Sequence, residues 1–221
     1  MLVNRTFYLD IQKEFNEKQV VLVAVSKTKP IEAIKELYDL GHRDFGENYV
    51  QELEEKQQQL PADIRWHYIG HLQTNKVRYI TPFVHLVQSV DSIKLLKEIN
   101  KQAQKSDRIV DVLLQVHIAQ EETKFGFDET EIKELFGGTE LNELKHVRLR
   151  GLMGMGSLTE DMDQVRKEFQ VLKQIFDSAR VKLNSNEFNT LSMGMSSDYK
   201  VAIEEGSNMV RIGSLLFGAR S

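Results

Sequence analysis

Eight short apolar runs, each set off from the next by a helix-forming stretch, constrain this chain more than any other feature. The first spans residues 20–26, VVLVAVS, and the next three span 43–45, 66–70 and 84–90. Residues 110–118, 149–153, 188–191 and 209–212 complete the set. Several are continuously apolar rather than alternating, as strands buried on both faces of a parallel sheet must be. Between them, residues 30–40 carry Pro at an early helical position and stop before Gly41. Residues 48–59, 92–105, 129–136, 160–182 and 197–205 read as further helices, and residues 1–19 as a leading one. This alternation predicts an α/β fold, a single (β/α)8 TIM barrel. The rival is a doubly wound open sheet. Its glycine-rich turn would follow the first strand, where Ser26-Lys27-Thr28-Lys29-Pro30 stands instead. With three prolines, 13 glycines and no linker in 221 residues, residues 1–221 are read as one domain.

Charge and cysteine content exclude whole classes of function. The net charge is −4, with no basic surplus to suit nucleic acid or an anionic membrane. There is no cysteine, hence no disulfide, thiolate metal site or cysteine nucleophile. No run approaches the roughly 18 apolar residues of a membrane span, and no signal peptide is evident, so the expected location is the cytoplasm.

In a barrel of this kind the chemistry belongs at the carboxyl ends of the strands. Two glycine and serine turns stand at those ends, Ser192-Met193-Gly194-Met195-Ser196-Ser197-Asp198 after the seventh strand and Ile212-Gly213-Ser214 after the eighth. That is where such barrels hold phosphate, because glycine lets backbone N–H groups approach an anion. Ser196 or Ser197 taken alone reads better as a helix cap, and it is the pair of turns that favours a phosphate site. Lys27 emerges from a buried strand end. Burial lowers a lysine pKa, and a neutral amine can attack an aldehyde or ketone. Lys29 reads as a solvated charge. Two ligands remain open at this point: pyridoxal 5′-phosphate (PLP), or a sugar phosphate held as a class I aldolase imine. Arg211 could hold phosphate or a carboxylate, or face a pyridine nitrogen, to which it cannot give up a proton. His67 and His71 are four apart but lie in a strand and lack the glutamate of a zinc helix. Met153, Met155, Met193 and Met195 read as pocket lining, and Glu121-Glu122 and Glu204-Glu205 as solvated faces.

Six blocks carry a resemblance to a known family. They are Ala24-Val25-Ser26-Lys27-Thr28-Lys29-Pro30, Phe45-Gly46-Glu47-Asn48-Tyr49-Val50-Gln51-Glu52, Trp66-His67-Tyr68-Ile69-Gly70-His71-Leu72-Gln73-Thr74-Asn75-Lys76, Arg150-Gly151-Leu152-Met153, Leu191-Ser192-Met193-Gly194-Met195-Ser196 and Val210-Arg211-Ile212-Gly213. The chain resembles, over nearly its whole length, the pyridoxal phosphate homeostasis proteins, whose barrel is similar to the N-terminal domain of alanine racemase. The resemblance implies a PLP cofactor held as a Schiff base on Lys27, with Arg211 at the pyridine nitrogen. It implies that Ser192, Gly213 and Ser214 hold the phosphate and that Asn48 lies near the ring.

Racemases of that fold carry a second domain that supplies an acid/base opposite the lysine. No second base is evident here, and two-base racemisation needs one on each face. The expectation is therefore a PLP-binding protein of vitamin B6 homeostasis rather than an enzyme. A weak PLP-dependent amino-acid racemase is the alternative. Its expected partners are PLP and PLP-dependent apoenzymes, with no nucleic acid or membrane, and its expected state is a monomer.

Overall fold

The computed structural model describes residues 2–120 and 125–218, so the reading of Glu121-Glu122 lies outside the described residues. Eight parallel strands close into a barrel in chain order. They are β1 (Val21–Val25), β2 (Asp44–Glu47), β3 (Arg65–Tyr68), β4 (Leu86–Val90), β5 (Val110–Gln115), β6 (Val147–Met153), β7 (Thr190–Ser192) and β8 (Met209–Ile212). Closure is made by β1 against β8, where Val23 aligns with Arg211 and Ala24 with Ile212. That pairing excludes the open sheet.

Helix α1 (Arg5–Lys18) precedes the barrel and buries Tyr8, Ile11 and Phe15. The helices α2 (Ile31–Asp39), α3 (Val50–Gln59), α5 (Ile93–Lys105), α6 (Glu129–Gly137), α7 (Met162–Leu183) and α8 (Tyr199–Glu204) stand where the pattern predicts them. Two four-residue helices, α4 (Val77–Ile80) and α9 (Ser214–Phe217), had no periodicity to betray them.

Apolar side chains fill two compartments. Val23, Leu86, Leu113, Met153 and Met209 pack inside the barrel. The larger core lies between strands and helices, where α2 contributes Ala33, Ile34 and Leu37, and α5 contributes Leu95, Leu96, Ile99 and Ala103. Each large buried side chain is worth about 1.5–3 kcal/mol before chain entropy is set against it. Local caps fix the helix starts: Ser92 accepts from the Leu95 N–H at 3.3 Å, and Asp128 with Glu131 forms a capping box on α6. No helix among the described residues is long and apolar enough to cross a membrane.

Candidate functional site

Strand register brings Lys27, Asn48 and Gly213 to one rim. Val25 aligns with Gly46 across β1 and β2, so the alternation of a strand carries Lys27 and Asn48 to neighbouring places at the barrel mouth. On the other side of β1, Gly213 approaches so closely that an added Cβ would come within 3.2 Å of the Val25 carbonyl oxygen. Lys27 is partly buried.

The turn that carries Lys27 is held from both flanks. Before it, the Ser26 carbonyl accepts from Lys29 N–H at 3.0 Å and from Lys56 Nζ at 2.7 Å. After it, Thr28 adopts a left-handed φ of +62°, unusual for a β-branched residue, and its N–H donates to Glu52 Oε1 at 2.6 Å. Lys56 also donates to Glu52 at 2.7 Å and to Glu47 Oε1 at 2.8 Å, where the Ser26 hydroxyl donates at 2.6 Å. Glu47 is fully buried, and burial raises its pKa to about 7 although Lys56 and Ser26 oppose the shift. The sequence reading missed Glu47, Lys56 and Glu52. A buried lysine within the second turn of a charged helix has no local signature. Lys29 proves not to be a solvated charge: its ammonium donates to the carbonyls of Phe217 at 3.1 Å and Gly218 at 3.4 Å, tying the turn to the end of α9.

Arg211 lies almost wholly buried at the end of β8. Its Nη1 donates to the Ser192 carbonyl at 3.1 Å and hydroxyl at 2.6 Å, and its Nη2 to the Gly154 carbonyl at 3.0 Å. All three acceptors are neutral. Burial lowers its pKa to about 10, with Asp198 opposing, so it stays a cation at neutral pH.

The phosphate expectation divides. Ser192 faces the barrel interior, fully buried, with its hydroxyl committed to Arg211 and to Gln88 Oε1 at 2.7 Å. It therefore departs from the rim position expected of it, because its place on β7 turns the side chain inward. The hydroxyl beside the Gly213 turn belongs to Ser196, which accepts from the Gly213 N–H at 3.3 Å. Neither Ser196 nor Ser197 caps α8; its N-cap residue is Asp198, whose carboxylate accepts from Met195 N–H at 2.5 Å. Gly194 permits this loop, having φ +98° and no room for a Cβ against Ala202. Ser214 is exposed at the start of α9.

Asn48 keeps its side-chain Oδ1 buried without a partner, and its backbone carbonyl accepts from Tyr68 Oη at 3.0 Å. It borders a cavity of about 320 Å³ that also touches Tyr68, His71, Gln73 and Lys76. A second cavity of about 270 Å³ is lined by Gln115, His117, Phe125, Met155 and Met195. Met155 and Met195 thus line a pocket as expected, whereas Met153 and Met193 are buried in the two cores. His67 turns into the barrel and His71 outward to Asp91 at 2.9 Å. Among the described residues no three His, Cys, Asp or Glu side chains gather where they could hold a metal ion.

The sequence profile described as "Alanine racemase, N-terminal domain" matches residues 8–221. The pyridoxal phosphate homeostasis protein of Aquifex aeolicus is 44% identical over 200 residues, which is 90% of this chain and 86% of that protein. PipY of Synechococcus elongatus, solved with PLP bound, superposes with a TM-score of 0.82 at 34% identity, covering 90% of this chain and 93% of its own. The alanine racemase of Clostridium difficile shares the fold, with a TM-score of 0.74 at 19% identity over 98% of this chain and 56% of the racemase.

Proposed function

This chain belongs to the pyridoxal phosphate homeostasis protein family, built on the alanine racemase N-terminal domain, and on that premise we propose that it binds PLP through Lys27 to maintain the cofactor's supply without robust turnover. PLP supplies an aldehyde that an amine can capture and a pyridine ring that can withdraw electrons. The residues present suit it. Asn48 Oδ1 is a buried acceptor lacking a protein partner, and Gly213, packed against the Val25 carbonyl with little room for a Cβ, keeps its backbone N–H at the strand end. Lys27 would hold the aldehyde carbon, Asn48 would lie at the ring, and Gly213, Ser214 and Ser196 would receive the phosphate. Arg211 would face the ring nitrogen, with Ser192 behind it rather than at the phosphate.

The observation that carries the reading is Arg211. A buried guanidinium that remains charged can donate a hydrogen bond to a pyridine nitrogen but cannot protonate it. The ring then withdraws electrons weakly, which suits retention of the cofactor more than carbanion chemistry. The racemase alternative also needs a second acid/base. Tyr68, whose phenol reaches the Asn48 carbonyl, is a poor candidate: burial raises its pKa to about 12, and its hydroxyl is engaged by the carbonyls of Asn48 and His71. The chain extends along 86% of the Aquifex aeolicus homeostasis protein and 93% of PipY, in keeping with a shared role. We read the protein as a cytoplasmic monomer whose cofactor passes to PLP-dependent apoenzymes.

The test is a visible spectrum of the purified protein after PLP addition, followed by borohydride reduction and peptide mapping. A yellow protein with the reduced adduct on Lys27 is the expected result. A protein that stays colourless, or an adduct elsewhere, overturns it. Exchange of an amino acid's α-proton in deuterated water, lost in Lys27→Ala, would favour the racemase.

A further inference from the structure

Polar side chains thread the barrel where apolar ones are the rule. Asp44 on β2, His67 on β3, Gln88 on β4, Ser192 on β7 and Arg211 on β8 are all buried, and each hydrogen-bonds to the next. The distances are 3.0 Å from His67 Nε2 to Asp44 Oδ1, 3.0 Å from Gln88 Nε2 to His67 Nδ1, 2.7 Å from Ser192 Oγ to Gln88 Oε1 and 2.6 Å from Arg211 Nη1 to Ser192 Oγ. Asp44 in turn accepts from Arg65 Nε at 2.7 Å, at the opposite end of the strands.

The donor direction along this chain is dictated by its two ends. A guanidinium only donates, so Ser192 Oγ accepts from Arg211 and must send its own proton to Gln88 Oε1. That orients the Gln88 amide: one Nε2 proton meets Met209 Sδ at 3.3 Å and the other meets His67 Nδ1. His67 Nδ1 must then be bare, leaving its single proton on Nε2, pointed at Asp44. Asp44 is a carboxylate: burial opposes its charge, but the hydrogen bonds from Arg65 and His67 outweigh burial and hold its pKa well below the usual range. Every proton runs from Arg211 toward Asp44. Hydrogen bonds aligned head to tail in a water-poor interior polarise one another, so the carboxylate end strengthens Ser192 as an acceptor for Arg211.

We propose that this chain is a positioning array, in which Gln88 and His67, remote from the rim, set the place and donor strength of Arg211 toward the ring nitrogen of the cofactor. The proposal rests on the PLP reading for its consequence but not for its geometry. The other Arg211 contacts, from Nη1 to the Ser192 carbonyl and from Nη2 to the Gly154 carbonyl, are to backbone and hold the guanidinium plane, which leaves the Ser192 hydroxyl as the adjustable partner.

Two measurements test it. In the PLP-free protein, side-chain ¹⁵N spectroscopy of His67 is expected to find the neutral Nε2–H tautomer, and an Nδ1–H tautomer or an imidazolium at neutral pH overturns the array. This arm stands whether or not the protein takes up PLP. In the PLP-loaded protein, Gln88→Met, which keeps the volume and removes the hydrogen bonds to Ser192, His67 and Met209, is expected to shift the absorption maximum and weaken PLP about three- to tenfold, the scale of one hydrogen bond. Borohydride trapping on Lys27 should persist. In an Arg211→Met background the same substitution should add less than about twofold, since coupled residues are not additive. An unchanged spectrum and affinity, or effects that multiply independently, overturns the proposal. A purely structural Gln88 would lower the unfolding temperature and leave the absorption maximum unmoved. If wild-type protein takes up no PLP, it is the function that fails, and the His67 tautomer still decides the array.

Discussion

Lys56 Nζ lies 2.7 Å from the carbonyl oxygen of Ser26, the residue immediately before Lys27. The same ammonium pairs with both Glu47 and Glu52, and it is itself buried. Lys56→Met would leave Glu47 without its cation and slacken the turn beneath Lys27. Removing one partner of a buried pair costs about 3–5 kcal/mol, whereas replacing both by apolar groups is often neutral. Urea unfolding should therefore show a loss on that scale for Lys56→Met, largely recovered in Lys56→Met/Glu47→Leu. Losses that simply add would mean that the two groups are not a unit.

Thr28 adopts a conformation that suits glycine. A left-handed residue with a Cβ costs roughly 1–2 kcal/mol, of which glycine returns part as unfolded-chain entropy. Thr28→Gly should raise stability by up to about 1 kcal/mol, read as a higher unfolding temperature. A drop would show that the Thr28 side chain supports the turn more than its backbone strains it.

Ser196 and Ser192 separate by ligand. Ser196→Ala should weaken PLP by about 0.5–1.5 kcal/mol, or up to about 3 if the lost bond is charge-assisted, and should leave phosphate-free pyridoxal unaffected. Ser192→Ala should weaken both, since Ser192 touches Arg211 rather than the Gly213 turn. Titrating each variant with the two aldehydes would distinguish them. A Ser192→Ala defect confined to PLP would return Ser192 to the phosphate.

His42 is buried between Tyr8 and Phe45, and its Nε2–H donates to the Asp44 carbonyl at 2.8 Å. Burial, partly offset by that bond, lowers its pKa to about 4. Below about pH 6.5 the unfolded chain takes up a proton that the folded chain refuses until about 4. Stability is therefore complete above 6.5 and is lost as the pH falls toward 4, by about 2 kcal/mol at pH 5. Burial shifts His85 in the same direction. His42→Phe should flatten the dependence of unfolding free energy on pH between 7.5 and 5. Equal slopes in variant and parent would clear His42 of the acid sensitivity.

Lys27, Asn48, Gly213 and Ser214 follow strands and Arg211 nearly ends one, and that place by itself is what let the barrel rule nominate them. Ser192 was nominated for the same reason: directly before a rim loop, it reads as part of it, but as the last residue of β7 it points inward. Gln88 and Lys56 carried no signal at all. One is a glutamine within an apolar strand and the other a lysine in a charged helix, LEEKQQQ, and nothing nearby in the chain marks either as buried.

The alternation of strand and helix, their order and the rim they build were determined by the sequence alone, because hydrophobic periodicity and turn residues act over a few neighbours. Which polar groups meet was decided only by the tertiary structure. Ser192 bonds Gln88 across 104 residues and Arg211 across 19, and Lys56 reaches Ser26 across 30. Those contacts exist because closure sets strands side by side and register turns chosen side chains inward, and neither is written in any local stretch of the chain.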